Sequence, residues 1–333
     1  MHSAAKPALS FRPVMDGVSR MHILVCLDSD PIRSLPVWAA FTDAQAAIPG
    51  LKITVLGAPE IIRCIKAHPA VTGKVAVDVK GLTLPRWHPA GWAARREARS
   101  ACAALLPAPD VLIDPFGTPD TRAVARLVNM RRIGIADLSE PKRDKDYSSV
   151  FPLPSELHPL QAIRVLFAAA LNYSLYDLVP YYGLLTSPTD GEQAADNPEA
   201  DLIVDVSSLP WDAELFQQFR DRISETPLRV TYLEEESTLN PAQRLLKNWP
   251  KILTAHYILT GLNASAWLAA ALGRPGLCLC PDDAASSMGV ISTRWATQQM
   301  INLDHPPFNQ PNIVVESIIQ VLQRQSTSSS GSE

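Results

Sequence analysis

Two carboxylates two residues apart, Asp28 and Asp30, close the apolar run His22–Leu27 and stand directly before Pro31. An acid between a strand-length apolar run and a helical pattern can take a proton from an attacking hydroxyl, provided it faces the substrate. The same place suits a helix cap, in which the carboxylate accepts free backbone N–H groups. A second polar turn, Thr260-Gly261-Leu262-Asn263-Ala264-Ser265, follows another apolar run and opens another helical pattern. Its N–H groups and hydroxyls could hold a phosphate, or simply make a turn and a cap. Arg86, Arg95, Arg96 and Arg99 gather around Trp87 and Trp92. They would suit an anionic partner or a membrane surface, or form a solvated helix face with the arginine stems laid over it.

Other chemistries lack their signatures. No GxGxxG follows the first apolar run, and GxxxxGK[ST], HExxH, GxSxG and CxxC are all missing. Readings as a dinucleotide oxidoreductase, P-loop NTPase, zinc protease or serine hydrolase thereby lose their main support. The seven His show no ligand spacing, so neither a metal site nor a cofactor is expected. Cys278 and Cys280 alternate with Leu277 and Leu279 and read as core thiols.

The elements that must position these residues follow from hydrophobic period. Continuous apolar runs at His22–Leu27, Ile53–Leu56, Val75–Val79, Val111–Ile113 and Ile133–Ile135 predict buried strands. Between them Ser34–Ala47, Pro59–Ala67, Trp92–Leu106 and Thr121–Asn129 space apolar residues by three and four, as helices do. A long helix is expected over His158–Leu171. The alternation then resumes, with strands at Leu202–Val206, Leu228–Tyr232, Ile252–Leu259 and Leu277–Cys280 and helices at Ala213–Ser224, Ala264–Leu272 and Ile313–Arg324. Strands alternating with helices predict an α/β protein with two doubly wound, Rossmann-like domains, and a cleft between them is where ligands would bind.

Size and composition agree with two globular domains: 333 residues, 47% hydrophobic and 19% charged. The expected division is an N-terminal extension over 1–20, a first domain over 21–175, a linker over 176–200, a second domain over 201–325 and a disordered Ser-rich tail over 326–333. The linker is placed by the acidic, Pro-containing stretch Ser187–Ala200. A net charge of −4 supplies no global positive field for nucleic acid, so an anion site must be local. Five scattered Cys fit a reducing cytoplasm. Residues 1–20 lack the apolar core of a secretory signal, and the apolar stretch Val165–Leu171 is too short to span a bilayer. Membrane contact, if made, is then peripheral.

Several of these segments resemble one family. Ser34-Leu35-Pro36 with Thr42-Asp43-Ala44-Gln45-Ala46-Ala47-Ile48-Pro49-Gly50 resembles the first helix and turn of the lipopolysaccharide heptosyltransferases of glycosyltransferase family 9. Pro109–Asp114 with Gly117, Arg126-Leu127 and Gly134, then His158, Arg164, Leu166-Phe167 and Leu171–Ser174, resemble its later segments in order and spacing. Thr260-Gly261 and Ala269–Pro275 resemble its second-domain motifs.

The resemblance implies a GT-B-like fold and an inverting, metal-independent transfer from a nucleotide sugar, ADP-heptose in similar enzymes, to a lipopolysaccharide inner-core acceptor. Asp30 would then be the general base. Arg86 and Arg126 would meet the acidic acceptor on the first domain, and Ser207, Ser208, Thr260, Gly261 and Asn263 the donor on the second. Three departures accompany the match. Ser29 replaces a Gly, Leu259 replaces the Asp of an Asp-Thr-Gly turn, and Ser207–Asp212 carries no Lys or Arg where a leaving diphosphate needs one. Losing one such charge-stabilising donor costs about 100- to 1,000-fold in rate. The departures motivate an alternative, a catalytically degenerate GT-B protein acting as a binding or assembly partner.

Overall fold

The run HILVC forms β1 (His22–Cys26), buried along its whole length. Its alternate residues serve two layers: Ile23 and Val25 face one hydrophobic cluster, Leu24 and Cys26 the other. The structure is a computed structural model that describes residues 21–85, 87–135, 145–153, 157–175, 179–184, 200–209, 211–233, 238–280, 299–302 and 310–329.

After β1 come α1 (Pro31–Ser34), α2 (Val37–Ala47), β2 (Lys52–Gly57), α3 (Pro59–Ile65), β3 (Val71–Ala76), α4 (Val79–Thr83), α5 (Pro89–Ala103), β4 (Val111–Asp114), α6 (Pro119–Ala125), β5 (Arg131–Ile135), β6 (Ser149–Phe151) and α7 (Pro159–Leu171). The second lobe contains β7 (Leu202–Asp205), α8 (Ala213–Ser224), β8 (Val230–Leu233), α9 (Pro241–Thr254), β9 (Tyr257–Gly261), α10 (Ala264–Ala271), β10 (Gly276–Cys280), β11 (Gln299–Asn302) and α11 (Pro311–Ser329). Among the described residues the first sheet runs β3-β2-β1-β4-β5-β6 and the second β11-β10-β9-β7-β8, with every pairing parallel. These are two parallel sheet-and-helix lobes of the GT-B-like kind.

In each sheet the chain changes direction beside its first strand, between β1 and β4 in one lobe and between β7 and β9 in the other. Loops leave the strand ends in opposite directions there and open a crevice.

Several elements differ from the sequence expectation. Pro36 has no N–H for the carbonyl of Ile32, so the expected helix Ser34–Ala47 becomes α1 and α2. The strand expected at Val75–Val79 lies earlier, because Asp78 accepts the Gly81 N–H and starts α4 at Val79. The first part of the expected strand Ile252–Leu259 is the end of α9, in which Ile252 is fully buried. The tail expected to be disordered from Ser326 is helical through Ser329, since extending a docked helix costs little once its first turns exist.

The lobes pack on each other. Trp38 of α2 meets Trp249 of α9 edge-on at 6.0 Å, and Tyr182 meets Trp267 of α10 at 6.4 Å. Tyr182 is fully buried although it falls in the stretch expected as linker, whose residues 185–199 lie outside the described residues. Among the described residues no helix is long and apolar enough to cross a membrane.

Candidate functional site at the lobe junction

On the first lobe, the loop after β1 is tied to the loop after β4. Asp28, 5% exposed, accepts the Asp30 N–H on Oδ1 at 2.8 Å and the Thr118 hydroxyl on Oδ2 at 2.7 Å. Thr118 is placed by Asp114 at the end of β4, which accepts the N–H groups of Phe116 and Gly117, each at 3.0 Å, and the Tyr147 hydroxyl at 2.5 Å. Burial pushes the Asp114 carboxyl above the usual range while those hydrogen bonds pull it back.

Asp30 is the N-cap of α1. Its Oδ1 accepts the Ile32 N–H at 2.9 Å and its Oδ2 stands 3.9 Å from Arg33 Nε, with the side chain 43% exposed. Of the two roles open to the acidic pair, the helix cap falls to Asp30, and Asp28 makes the link between loops. Asp30 itself is not among the residues that line the pocket described below, whereas Ile32, two residues on, is.

Arg126 pairs with Asp146 through two nitrogens at 2.7 and 2.6 Å while its side chain is 57% exposed. Arg86 lies outside the described residues. The remaining arginines of that cluster divide. Arg95 donates to the carbonyls of Leu82 and Leu84 and anchors α5, whereas Arg96 stacks over Trp92 at 5.6 Å. Trp87 and Trp92 are exposed.

On the second lobe, Asp205 at the end of β7 is buried, and its Oδ1 accepts the Ser207 N–H and Oγ–H at 3.2 and 2.7 Å. Its Oδ2 accepts Asn263 Nδ2 at 2.9 Å, which also reaches Ser208 Oγ at 2.6 Å. Asn263 caps α10 through the Ala266 N–H, and its Oδ1 accepts the Thr260 hydroxyl at 3.1 Å. Asn263 thus joins the β7 and β9 loops at the second switch point.

A pocket of about 240 Å³ opens between the lobes, lined by Ile32 of α1, Ser207, Ser208, Asn263 and, from α9, Arg244 and Asn248. Its volume lies below the ~300–1,000 Å³ of complete small-molecule sites, which leaves room for part of a nucleotide sugar. Of the expected donor residues, Ser207, Ser208 and Asn263 line this pocket. Thr260 and Gly261 do not; Thr260 is fully buried and holds Asn263. Among the described residues no cluster of His, Cys, Asp or Glu could hold a metal ion.

Asp205, Arg244 and Asn248 were not singled out from the sequence. Arg244 and Asn248 sit on α9, whose signal was present: Asn240 and Gln243 form a capping box around Pro241 in the first turn. Pro250 inside the helix obscured it.

No family model matches the chain. It is 30% identical over 189 residues to lipopolysaccharide heptosyltransferase 1 of Pseudomonas aeruginosa, an alignment covering 55% of this chain and 50% of that protein. The chain therefore spans about half the length of the curated relative it matches. The structure is similar to E. coli heptosyltransferase WaaC with ADP at a TM-score of 0.74 and 19% identity, covering 90% of this chain and 99% of that one. A glycosyl transferase family 9 structure from Veillonella parvula gives 0.68 and 11%, covering 92% and 98%.

Proposed function

From a chain that is heptosyltransferase-like in sequence and fold, of the glycosyltransferase family 9 type, we propose an inverting glycosyltransferase that moves a heptose-like sugar from a nucleoside diphosphate to a lipopolysaccharide inner-core acceptor. The observation that carries this reading is the pocket at the lobe junction. It joins Ile32, beside the capping Asp30, to Ser207, Ser208 and Asn263 at the second switch point. The first lobe, 21–175, takes the acceptor and the second, 201–325, the donor. Asp30 receives the acceptor's hydroxyl proton as the oxygen attacks the anomeric carbon, and the bond to the diphosphate breaks on the opposite face. In this reading Arg126, half-exposed beside its partner Asp146, meets acidic groups of the acceptor, and the exposed Trp87 and Trp92 with Arg96 suit peripheral contact at the cytoplasmic face of the inner membrane.

The test is calorimetric titration with ADP, UDP, GDP, dTDP and ADP-heptose, followed by a transfer assay with Asp30→Asn. Asparagine caps a helix as well as aspartate does, so the variant should keep its melting temperature. It should lose about 100- to 10,000-fold in kcat, because an amide takes no proton. Undiminished transfer by Asp30→Asn rejects the base.

A second reading has its own support. Asp30 serves as a cap, and Leu259 fills the place of an acid while being fully buried in the sheet core. A degenerate GT-B protein that binds a partner without turnover accounts for both. Selective nucleotide binding with measurable transfer rejects this alternative.

A further inference from the structure

We propose that Arg244, from α9, binds the diphosphate of the donor and neutralises the charge that builds on it as it leaves. The inference rests on the donor reading above and adds to it the residue that supplies the cation. The junction pocket is lined by Arg244 of α9 and by Ser207, Ser208 and Asn263 of the β7 and β9 loops. The carboxylate in that lining, Asp205, accepts hydrogen bonds from Ser207 N, Ser207 Oγ and Asn263 Nδ2. These donors hold its negative charge within the wall, where it repels an incoming anion less. The loop Ser207–Asp212 offers hydroxyls and no Lys or Arg, and the basic residue in the pocket's lining is Arg244, whose outer nitrogen also donates to the Leu239 carbonyl at 3.5 Å.

Chemistry requires it there. When the acceptor oxygen bonds to the anomeric carbon, the electron pair of the breaking bond passes to the diphosphate oxygen, and the acceptor proton passes to Asp30. A fixed cation beside that oxygen lowers the barrier. A guanidinium can hold two phosphate oxygens at once in its planar fork. Its carrier is rigid at this point: the Asn240–Gln243 capping box and Pro241 fix the first turn of α9, and Leu245, the next residue, is buried.

The test titrates the full chain and the variants Arg244→Gln and Arg244→Lys with pyrophosphate, with ADP, UDP, GDP and dTDP, and with the matching nucleosides. Arg244→Gln should bind pyrophosphate and the preferred nucleoside diphosphate about 10- to 100-fold more weakly, with unchanged affinity for the nucleoside, which also reports an intact fold. Arg244→Lys, which keeps the charge and loses the fork, should fall between. In the transfer assay Arg244→Gln should lower kcat and leave the acceptor KM unchanged. Wild-type affinity for pyrophosphate in both variants overturns the proposal and leaves the donor reading standing. Arg244-dependent binding of pyrophosphate without binding of any nucleotide supports the diphosphate site and rejects the donor reading. A wild type that binds none of the phosphates overturns both.

Discussion

Gly261 has no room for a side chain. A Cβ there would lie 1.7 Å from the carbonyl oxygen of Ser208, a backbone atom that cannot rotate away. The β7 and β9 loops approach this closely because Asn263 bonds to both Asp205 and Ser208. Gly261→Ala should therefore push Ser208 out of the pocket wall, costing about 1–3 kcal/mol of stability as overpacking does. Urea unfolding measures the loss, and titration with the preferred nucleoside diphosphate should show weaker binding. Unchanged stability and binding would mean that the loop moves freely and that its geometry does not define the site. Leu259 shows a different substitution. At the position where the family resemblance implies an acid, this chain buries Leu259 in an apolar cluster of the second sheet, and Asp205 is a buried carboxylate at the end of β7.

Between elements, a buried polar link in the first lobe joins α2 to α7. Arg164 is 1% exposed, and its Nε donates to Asp43 Oδ2 at 2.6 Å and its outer nitrogen to Oδ1 at 3.3 Å. Both residues belong to segments whose sequence already marked the family resemblance, and the structure gives their pairing a physical reason. The ion pair fixes how the helix leading to the second lobe lies against the first. Removing Asp43 takes this carboxylate from a buried guanidinium that also bonds Gln161 Oε1 at 3.0 Å, so Asp43→Ala should cost up to about 3–5 kcal/mol in urea unfolding. A loss comparable with that of a surface pair would show that the helices are held by apolar packing alone. Between the lobes the contacts among the described residues include aromatic pairs, Trp38 on Trp249 and Tyr182 on Trp267. Packing of this kind tolerates small sliding movements better than an ion pair does.

At the scale of the whole molecule, acid should loosen the protein through His68, which is 1% exposed beside the chain segment that leads between the lobes. Its Nδ1 accepts the Ala70 N–H at 3.0 Å, which leaves the proton on Nε2, 2.9 Å from Thr42 Oγ1. Burial lowers its pKa from 6.5 to about 4, opposed in part by a hydrogen bond with the Tyr182 backbone. Between those values the unfolded chain binds a proton that the folded chain refuses. The stability from neutral His68 is thus complete above about pH 6.5 and falls away as the pH drops to about 4, about 3 kcal/mol in all. Urea midpoints at neutral pH and near pH 4.5 test this against His68→Gln, which does not titrate. The wild type should lose more stability than the variant across that interval, and parallel losses would reject the linkage. The sequence by itself determined the alternation of strands and helices, two lobes of parallel sheet, the family likeness and the two polar turns, because hydrophobic period and local turn chemistry are properties of neighbours along the chain. It also carried the Asn240–Gln243 capping box, whose message Pro250 masked. Only the tertiary structure decided that Asp30 caps while Asp28 links two loops, that Thr260 supports Asn263 from behind the pocket, and that Arg244 shares a cavity with Ser207 and Ser208. Those outcomes depend on which strand ends meet at a switch point, and residues far apart in the chain come together there through sheet order and packing.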